Sequence, residues 1–380
     1  MRYLGVDIVS ARARSPVLTH KQKRQWDQVK GALFEVIVRR LLEKANYGPI
    51  TPDNKSVRKT DRKVRGRGCW HNVDAFGKLS YPIPYVYPIR LLAEAKCYEG
   101  RHQVGLPVVQ NFMGAVKDIS ENYFIRDKIS REDLLTYNRY TDCGAIFSAR
   151  DFTIDAQRYA LAHGISLISY QNNSILQMAV NSMYDLMGSV DITLASNRKS
   201  DFSKYIYQKL SSPLQRIYRT RFIGRRRRST FFEAFRGLHG SIERIKTSAI
   251  AIAIGESLEV RYPIHVLSYD SIPGNIFAES DTHLFRVHYS TSDNGLIFRV
   301  NPIDTQVQLF FSLPRSIYED YFSRRRMLDF KEKFLRYIEL PMIIRKLRRI
   351  VTFELDTEWT REQRITSPEP ARPDCQTRNL

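Results

Sequence analysis

The chain has 380 residues, 43% hydrophobic and 12% aromatic, enough for two or three domains that each bury a core. Its 60 Lys and Arg stand against 40 Asp and Glu, so the net charge is +20. That balance points to nucleic acid, with an anionic membrane surface as the weaker alternative, and argues against a purely structural protein.

Residues 1–25 carry Arg12, Arg14, Lys21, Lys23 and Arg24 and read as a basic arm. From Trp26 to Lys44, Val29, Leu33, Val36, Ile37 and Leu41 recur at helical spacing and define one apolar face. Glu35 sits off that stripe, and taken alone it reads as a surface carboxylate paired with Arg39 one turn on. Asn46-Tyr47-Gly48-Pro49 ends the helix. Residues 50–68 are polar and basic and reach Arg65-Gly66-Arg67-Gly68, a turn whose glycines let backbone approach phosphates.

The stretch 69–77 reads as a strand containing Asp74, and a Pro-rich connector, 81–88, leads to a second strand at 89–98. The two form a hairpin with an irregular loop. Alternation in the second strand puts Leu92, Glu94 and Lys96 on one side and Leu91, Ala93, Ala95 and Cys97 on the other. A Glu-x-Lys pair alone reads as an ion pair at a sheet edge. Asp74 upstream and Glu35 in the first helix change that judgement.

A helix is predicted over 105–123, with Val108, Val109, Phe112, Val116 and Ile119 on its apolar side, followed by a polar insertion over 125–142. Residues 143–148 form a buried strand, 151–163 a helix stopped by Gly164, and 165–169 another strand. A strand–helix–strand unit of that length implies a parallel pair with a right-handed crossover, and the series predicts a three-layer α/β core.

A helix follows over 175–186, and the run 198–228 then holds eleven basic residues against Asp201 alone. Phe202, Tyr205, Tyr207, Tyr218 and Phe222 are interleaved, and Arg225, Arg226, Arg227 and Arg228 end it. Clustered cations release counterions from phosphates and aromatic rings stack on bases, so this run reads as a nucleic-acid contact. Four β-like segments (258–268, 283–289, 296–300 and 306–311) suggest a small, mainly antiparallel domain. Helices are predicted over 316–335 and 339–350, a last strand over 351–355, and a disordered tail over 360–380.

Cys69, Cys97, Cys143 and Cys375 are irregularly spaced and form no disulfide framework. Cys69-Trp70-His71 with Cys97 and His102 offers zinc-ligand types, but without paired Cys-x-x-Cys spacing they read as ordinary thiols and imidazoles, with a zinc site as the weaker alternative. No apolar run approaches the ~20 residues that cross a bilayer, and the N-terminus lacks a signal-peptide core, so a soluble, cytoplasmic protein without a membrane partner is expected.

Phosphodiester hydrolysis needs a divalent cation to neutralise phosphate charge and an activated water in line with the leaving oxygen. Mg²⁺ prefers oxygen ligands, so Asp74, Glu94 and the carbonyl of Ala95 suffice as metal ligands, with Mn²⁺ as a substitute. Lys96 on the same face can orient or deprotonate the water, or stabilise developing charge, and Glu35 can hold a metal-bound water.

Asp74 followed one strand later by Glu94-Ala95-Lys96 resembles the PD-(D/E)xK nuclease superfamily, and more closely its Mrr-like restriction endonuclease branch. Val104-Gly105 through Val116 is similar to the helix after that branch's catalytic strand. Cys143 through Thr153, with Ala156, Tyr159-Ala160 and His163-Gly164-Ile165, is similar to its closing strand–helix–strand. The branch often has Gln in place of Glu94, whereas Glu is commoner across the superfamily. The resemblance covers residues 26–170 and implies a restriction-endonuclease-like α/β/α core.

It further implies catalytic positions at Glu35, Asp74, Glu94 and Lys96, with Gln110 assisting from the following helix. The implied activity is Mg²⁺-dependent endodeoxyribonuclease, leaving 5′-phosphate and 3′-hydroxyl ends, in restriction or antiphage defence. Duplex cleavage implies a homodimer or higher assembly acting on DNA, with a defence-system partner protein as a further option. Around that domain the layout is a basic arm (1–25), a basic helical linker or DNA-contacting region (171–246), an α+β, β-rich domain for recognition or regulation (247–359) and a tail (360–380). Two alternatives remain: a catalytically silent nucleic-acid-binding module, and a nuclease subunit of a larger defence or transposition complex.

Overall fold

Local capping sets where the first helix begins. Thr19 accepts from the backbone N–H of Gln22 at 3.3 Å, while the Gln22 side chain accepts from the Thr19 N–H at 2.9 Å. This reciprocal cap, of a kind worth about 1 kcal/mol, starts the helix ahead of Trp26, where the apolar spacing sets in. The computed structural model describes residues 19–52, 56–58, 63–80, 85–100, 102–122, 139–171, 174–211, 222–223, 228–245, 249–254, 261–268, 280–292, 295–303, 307–313, 315–318, 321, 324–344 and 347–366.

In chain order the first elements are α1 (His20–Lys44), β1 (Tyr47–Gly48), β2 (Lys63–Arg65), β3 (Trp70–Asn72), β4 (Ala75–Leu79) and β5 (Ile89–Lys96). Then come α2 (Leu106–Ser120), β6 (Thr141–Ser148), α3 (Ile154–Ala162) and β7 (Ser166–Ser169). Helices α4 (Ser174–Ser189), α5 (Ile192–Asn197), α6 (Lys199–Ser211) and α7 (Arg228–Arg244) follow. The rest comprises β8 (Ala249–Ile254), β9 (Arg261–Ser268), β10 (Thr282–Ser292), β11 (Gly295–Pro302), β12 (Leu309–Ser312), α8 (Arg315–Tyr318), α9 (Arg324–Phe334), β13 (Tyr337–Ile344), β14 (Leu347–Leu355) and α10 (Thr357–Thr366).

Five strands form one mixed sheet in the order β1-β4-β5-β6-β7. The pairs β1/β4 and β4/β5 are antiparallel, whereas β5/β6 and β6/β7 are parallel, as the crossovers through α2 and α3 require. On one face Leu92 and Ile146 pack against Val109, Phe112 and Val116 of α2 and Ala156 and Ala160 of α3. On the other, Leu91, Ala93, Ala145 and Phe147 pack against Leu33, Ile37 and Leu41 of α1. The result is a mixed α/β core with helices on both sides of the sheet.

Three expectations change here. The stretch 69–77 is split: β3 pairs with β2 in a separate two-stranded sheet, β4 joins the main sheet, and Asp74 lies in the bend between them. The helices of 174–245 do not form a linker. Met183, Leu186, Phe202, Ile206, Phe231 and Leu238 join the core that holds α1. The aromatic residues read as base-stacking platforms are therefore largely used up inside. Phe202 and Phe222 meet edge-on at 5.4 Å, Tyr205 packs beside Phe222 at 6.2 Å, and Tyr207 lies under the Arg39 guanidinium at 3.7 Å. Tyr218 lies outside the described residues.

The β-rich region is a closed barrel, β10-β11-β12-β9-β8-β13-β14, antiparallel throughout except where β10 pairs with β14. Closure leaves no sheet edge to protect. Phe285, Val287, Phe298, Phe311, Ile338, Leu340, Val351 and Phe353 fill it, with Met327 and Phe330 of α9 packed against them. The helix expected over 339–350 is instead the β13/β14 hairpin, running from Tyr337↔Glu354 to Ile344↔Leu347. Pro341, with no N–H to donate, opposes a helix interior there. Residues 357–366, expected to fall partly in the disordered tail, form α10, and 367–380 lie outside the described residues. Among the described residues no helix is long and apolar enough to cross a membrane.

Candidate active site at the end of β5

The β4/β5 ladder ends at Ala75↔Ala93, which leaves the β4-facing edge of Ala95 beyond the last backbone partner. Asp74, in the bend before β4, turns its carboxylate into that gap, and Oδ2 accepts from the Ala95 N–H at 2.8 Å. A carboxylate thus caps an open strand end. Within a strand a residue's N–H and C=O project toward the same neighbour, so the Ala95 carbonyl lies on the edge that Asp74 occupies.

Glu94 and Lys96 project from β5 on the α2 side, as the alternation predicted. They line a cleft of about 310 Å³ with Asn72, Val73, Leu92, Tyr98, Val108 and Asn111. Lys96 Nζ donates to Glu94 Oε1, and both side chains are largely sheltered from solvent. Among the described residues, the second oxygens of Asp74 and Glu94 carry no hydrogen-bond partner.

The site holds more negative charge than it neutralises. Burial pushes the Glu94 carboxyl up from its ordinary range, the Asp74 charge adds to this, and Lys96 offsets it only in part. Glu35 adds a further upward push, so the first helix does reach the site with its field. Burial alone would lower the Lys96 ammonium, but the charges of Glu94 and Asp74 outweigh it and hold the group above its usual value.

The structure thus brings Asp74, Glu94, Ala95 and Lys96 together, with Glu35 alongside and ion-paired to Lys199 of α6 at 3.1 Å. Gln110 is exposed and does not line the cleft; Asn111 does. Helical spacing carried that signal. Val108, Asn111, Phe112, Ala115, Val116 and Ile119 recur at three and four residues and face one way, and Gln110 falls off the series. Lys199 had no local signal, because only the packing of α6 on α1 brings it to Glu35.

The predicted phosphate contacts fare differently. Arg65 lies over the Trp70 ring at 5.5 Å, with Arg58 at 4.8 Å, and Arg67 pairs with Glu121 at 3.7 Å. The glycine turn does not present its amides to solvent: Gly68 N–H donates to the Asp118 carboxylate at 3.1 Å, and Arg67 N–H to the Asp118 carbonyl at 2.8 Å. Arg225, Arg226 and Arg227 lie outside the described residues, and Arg228 opens α7.

No protein-family model matches the chain, and no curated protein matches it. A crystal structure titled as that of a protein of unknown function, AF1548, is 17% identical over 55% of this chain and 98% of its own, with a TM-score of 0.32.

Proposed function

We propose that this chain is a divalent-metal-dependent endonuclease of the PD-(D/E)xK type that hydrolyses DNA phosphodiester bonds. One observation carries the reading: Asp74, Glu94 and Lys96 converge where β4 begins and β5 ends, with the Ala95 carbonyl on the same edge. The sheet supports it, because an antiparallel hairpin bearing these residues is followed by two parallel strands with both crossover helices on the cleft side.

The donor set fits a hard cation. Two carboxylates with open oxygens and a backbone carbonyl are the ligands Mg²⁺ takes, and a cation would offset both the burial and the Asp74 charge that raise the Glu94 carboxyl. When bound, the ion neutralises charge on the phosphate and lowers the pKa of water. Lys96 stays protonated, which suits it to orient the attacking water and stabilise charge developing on the phosphate rather than to remove a proton. Asp74, fixed by the Ala95 N–H, holds its free oxygen in one place. Glu35, ion-paired to Lys199, adds its charge to the site from α1.

The test is cleavage of supercoiled plasmid, methylated and unmethylated, with Mg²⁺, Mn²⁺ or EDTA, beside Lys96→Ala. Metal-dependent nicking that the substitution lowers by about 10²–10³-fold, with DNA binding retained, is expected. Cleavage undiminished in Lys96→Ala overturns the assignment. Salt-sensitive binding without cleavage under any condition favours a silent binding module.

A further inference from the structure

The turn over residues 66–69 meets α2 at a cluster the nuclease reading does not use. Cys69 Sγ lies 3.5 Å from His71 Nε2, and Asp118 Oδ2 lies 2.6 Å from the same nitrogen. All three donor atoms fall within 4.8 Å of one another. In a nucleophile–base–acid relay the nucleophile and the carboxylate engage opposite ring nitrogens. Here both converge on Nε2, which has a single proton or a single lone pair to offer. A shared cation satisfies all three groups where one proton serves two.

The backbone is built closely around this point. Gly66 N–H donates to the Cys69 carbonyl at 2.8 Å, and Gly68 N–H donates to both Asp118 oxygens, at 3.1 and 3.3 Å. A Cβ at Gly66 would lie 2.0 Å from Asp118 Oδ2 and 2.7 Å from the His71 ring, so only glycine lets the turn close on these groups. Cys69 itself is exposed, so an ion has a path in.

We propose that Cys69, His71 and Asp118 bind a borderline divalent cation of the Zn²⁺ class, with a fourth position open to water. Thiolate, imidazole and carboxylate together suit Zn²⁺, whereas a thiolate is a poor ligand for Mg²⁺. Tetrahedral ligands at bond lengths of 2.0–2.3 Å stand about 3.3–3.7 Å apart. The Cys69–His71 contact already has that separation, and the His71–Asp118 contact opens when an ion replaces the proton between them. The ion ties β3 to the last turn of α2. β3 leads through Asn72 and Val73 to Asp74, and α2 carries Asn111 and Phe112 along the cleft, so the site braces two walls of the candidate active site.

The experiment titrates the chelator-treated full chain with Co²⁺ and reads the thiolate-to-cobalt charge-transfer absorption. One equivalent that develops the band, displacement by Zn²⁺ and a raised Tm on Zn²⁺ addition are expected. Cys69→Ser should abolish the band, and Asp118→Asn should weaken uptake by roughly tenfold or more. Circular dichroism of each metal-free variant confirms the fold, and the exposure of Cys69 makes its serine variant tolerant. Asp74→Asn should leave the cobalt spectrum unchanged, which separates this site from the nuclease reading. Absence of the band in the wild-type chain, or its persistence in Cys69→Ser, overturns the proposal.

Discussion

Gly144 sits in β6 beneath α2, where a side chain has no room. An added Cβ would stand 2.6 Å from Ile165 Cδ1 and 3.1 Å from both Phe112 Cε1 and Val116 Cγ2. In Gly144→Ala the Ile165 tip must therefore withdraw by roughly 0.8 Å, and the α2 side chains by a few tenths. Ile165 is buried, so it yields by leaving its rotamer well, at about 0.5–1.5 kcal/mol, and with the shifts of its neighbours the overpacking cost is about 1–3 kcal/mol. The lost backbone freedom of glycine returns about 0.5–1 kcal/mol. The expected net loss is about 0–2.5 kcal/mol, near 1 kcal/mol at mid-range.

Gly114, in α2 itself, is the control. No atom lies within 4 Å of its added Cβ, so Gly114→Ala should gain up to about 1 kcal/mol. Urea unfolding followed by circular dichroism should show a lowered midpoint for Gly144→Ala and a raised one for Gly114→Ala. A Gly144→Ala midpoint equal to or above wild type would show that α2 does not rest on β6 in this way. Because Phe112 and Val116 also line the cleft, the same substitution should weaken DNA binding or turnover, and Gly114→Ala should not.

Three further outcomes follow from the same geometry. Arg90 and Asp142 form a cross-strand pair between β5 and β6, with side chains 5% and 3% exposed and a second contact at 2.9 Å; Asp142→Asn leaves a buried guanidinium that cannot deprotonate and should cost about 3–5 kcal/mol by urea unfolding. A loss under 1 kcal/mol would contradict that burial, and an apolar replacement of both residues should recover most of it. The folded state holds the Glu94 proton more tightly than the unfolded chain, so stability should fall as pH rises from the ordinary glutamate value of 4.5 through the raised folded value. Glu94→Gln should be more stable than wild type above that window and little changed below it, and an identical pH profile in both would refute the raised Glu94 carboxyl. Asp74→Asn keeps an acceptor for the Ala95 N–H but removes a charge, so plasmid cleavage should vanish while the thermal midpoint holds or rises; a large stability loss would mean that Asp74 acts chiefly as a brace.

The legible parts of the fold are those where one period dominates. The alternation of β5 and the spacing of α2 each gave the buried face correctly, because packing there follows a single repeat, whereas the stripe of α1 gave only part of its buried surface, since Phe34, Val38 and Leu42 are buried as well. Asp74 was legible as a carboxylate near β5 but not as a cap, since nothing in Asn72-Val73-Asp74-Ala75 marks the break between β3 and β4. In 339–350, Leu340, Ile343, Ile344 and Leu347 mimic a helical stripe, while the true signal, Ile338 and Leu340 alternating inward toward Val351 and Phe353, runs across a hairpin. The Ala-Ile alternation of 249–254 carried the same period and was missed ahead of the other strands. Phe202 and Phe222 show the opposite failure. Cations beside aromatic residues have the composition of a nucleic-acid surface, and only the tertiary packing reveals that the rings point inward.

The candidate site also explains why stability and function should oppose each other here. A strand end needs its N–H capped, and a neutral side chain would do that at less electrostatic cost than Asp74 beside Glu94. The chain instead places carboxylates from three elements where one lysine on β5 and one on α6 offset them only in part. Such an arrangement raises the energy of the empty site and lowers that of the cation-bound one, so binding relieves repulsion already present in the fold. Glu94→Gln should raise the metal-free Tm and Asp74→Asn should hold or raise it, and each should lose most of the Tm increase that millimolar Mg²⁺ gives the wild-type chain. Variants that lower the metal-free Tm and keep the Mg²⁺ increase would place the cation elsewhere.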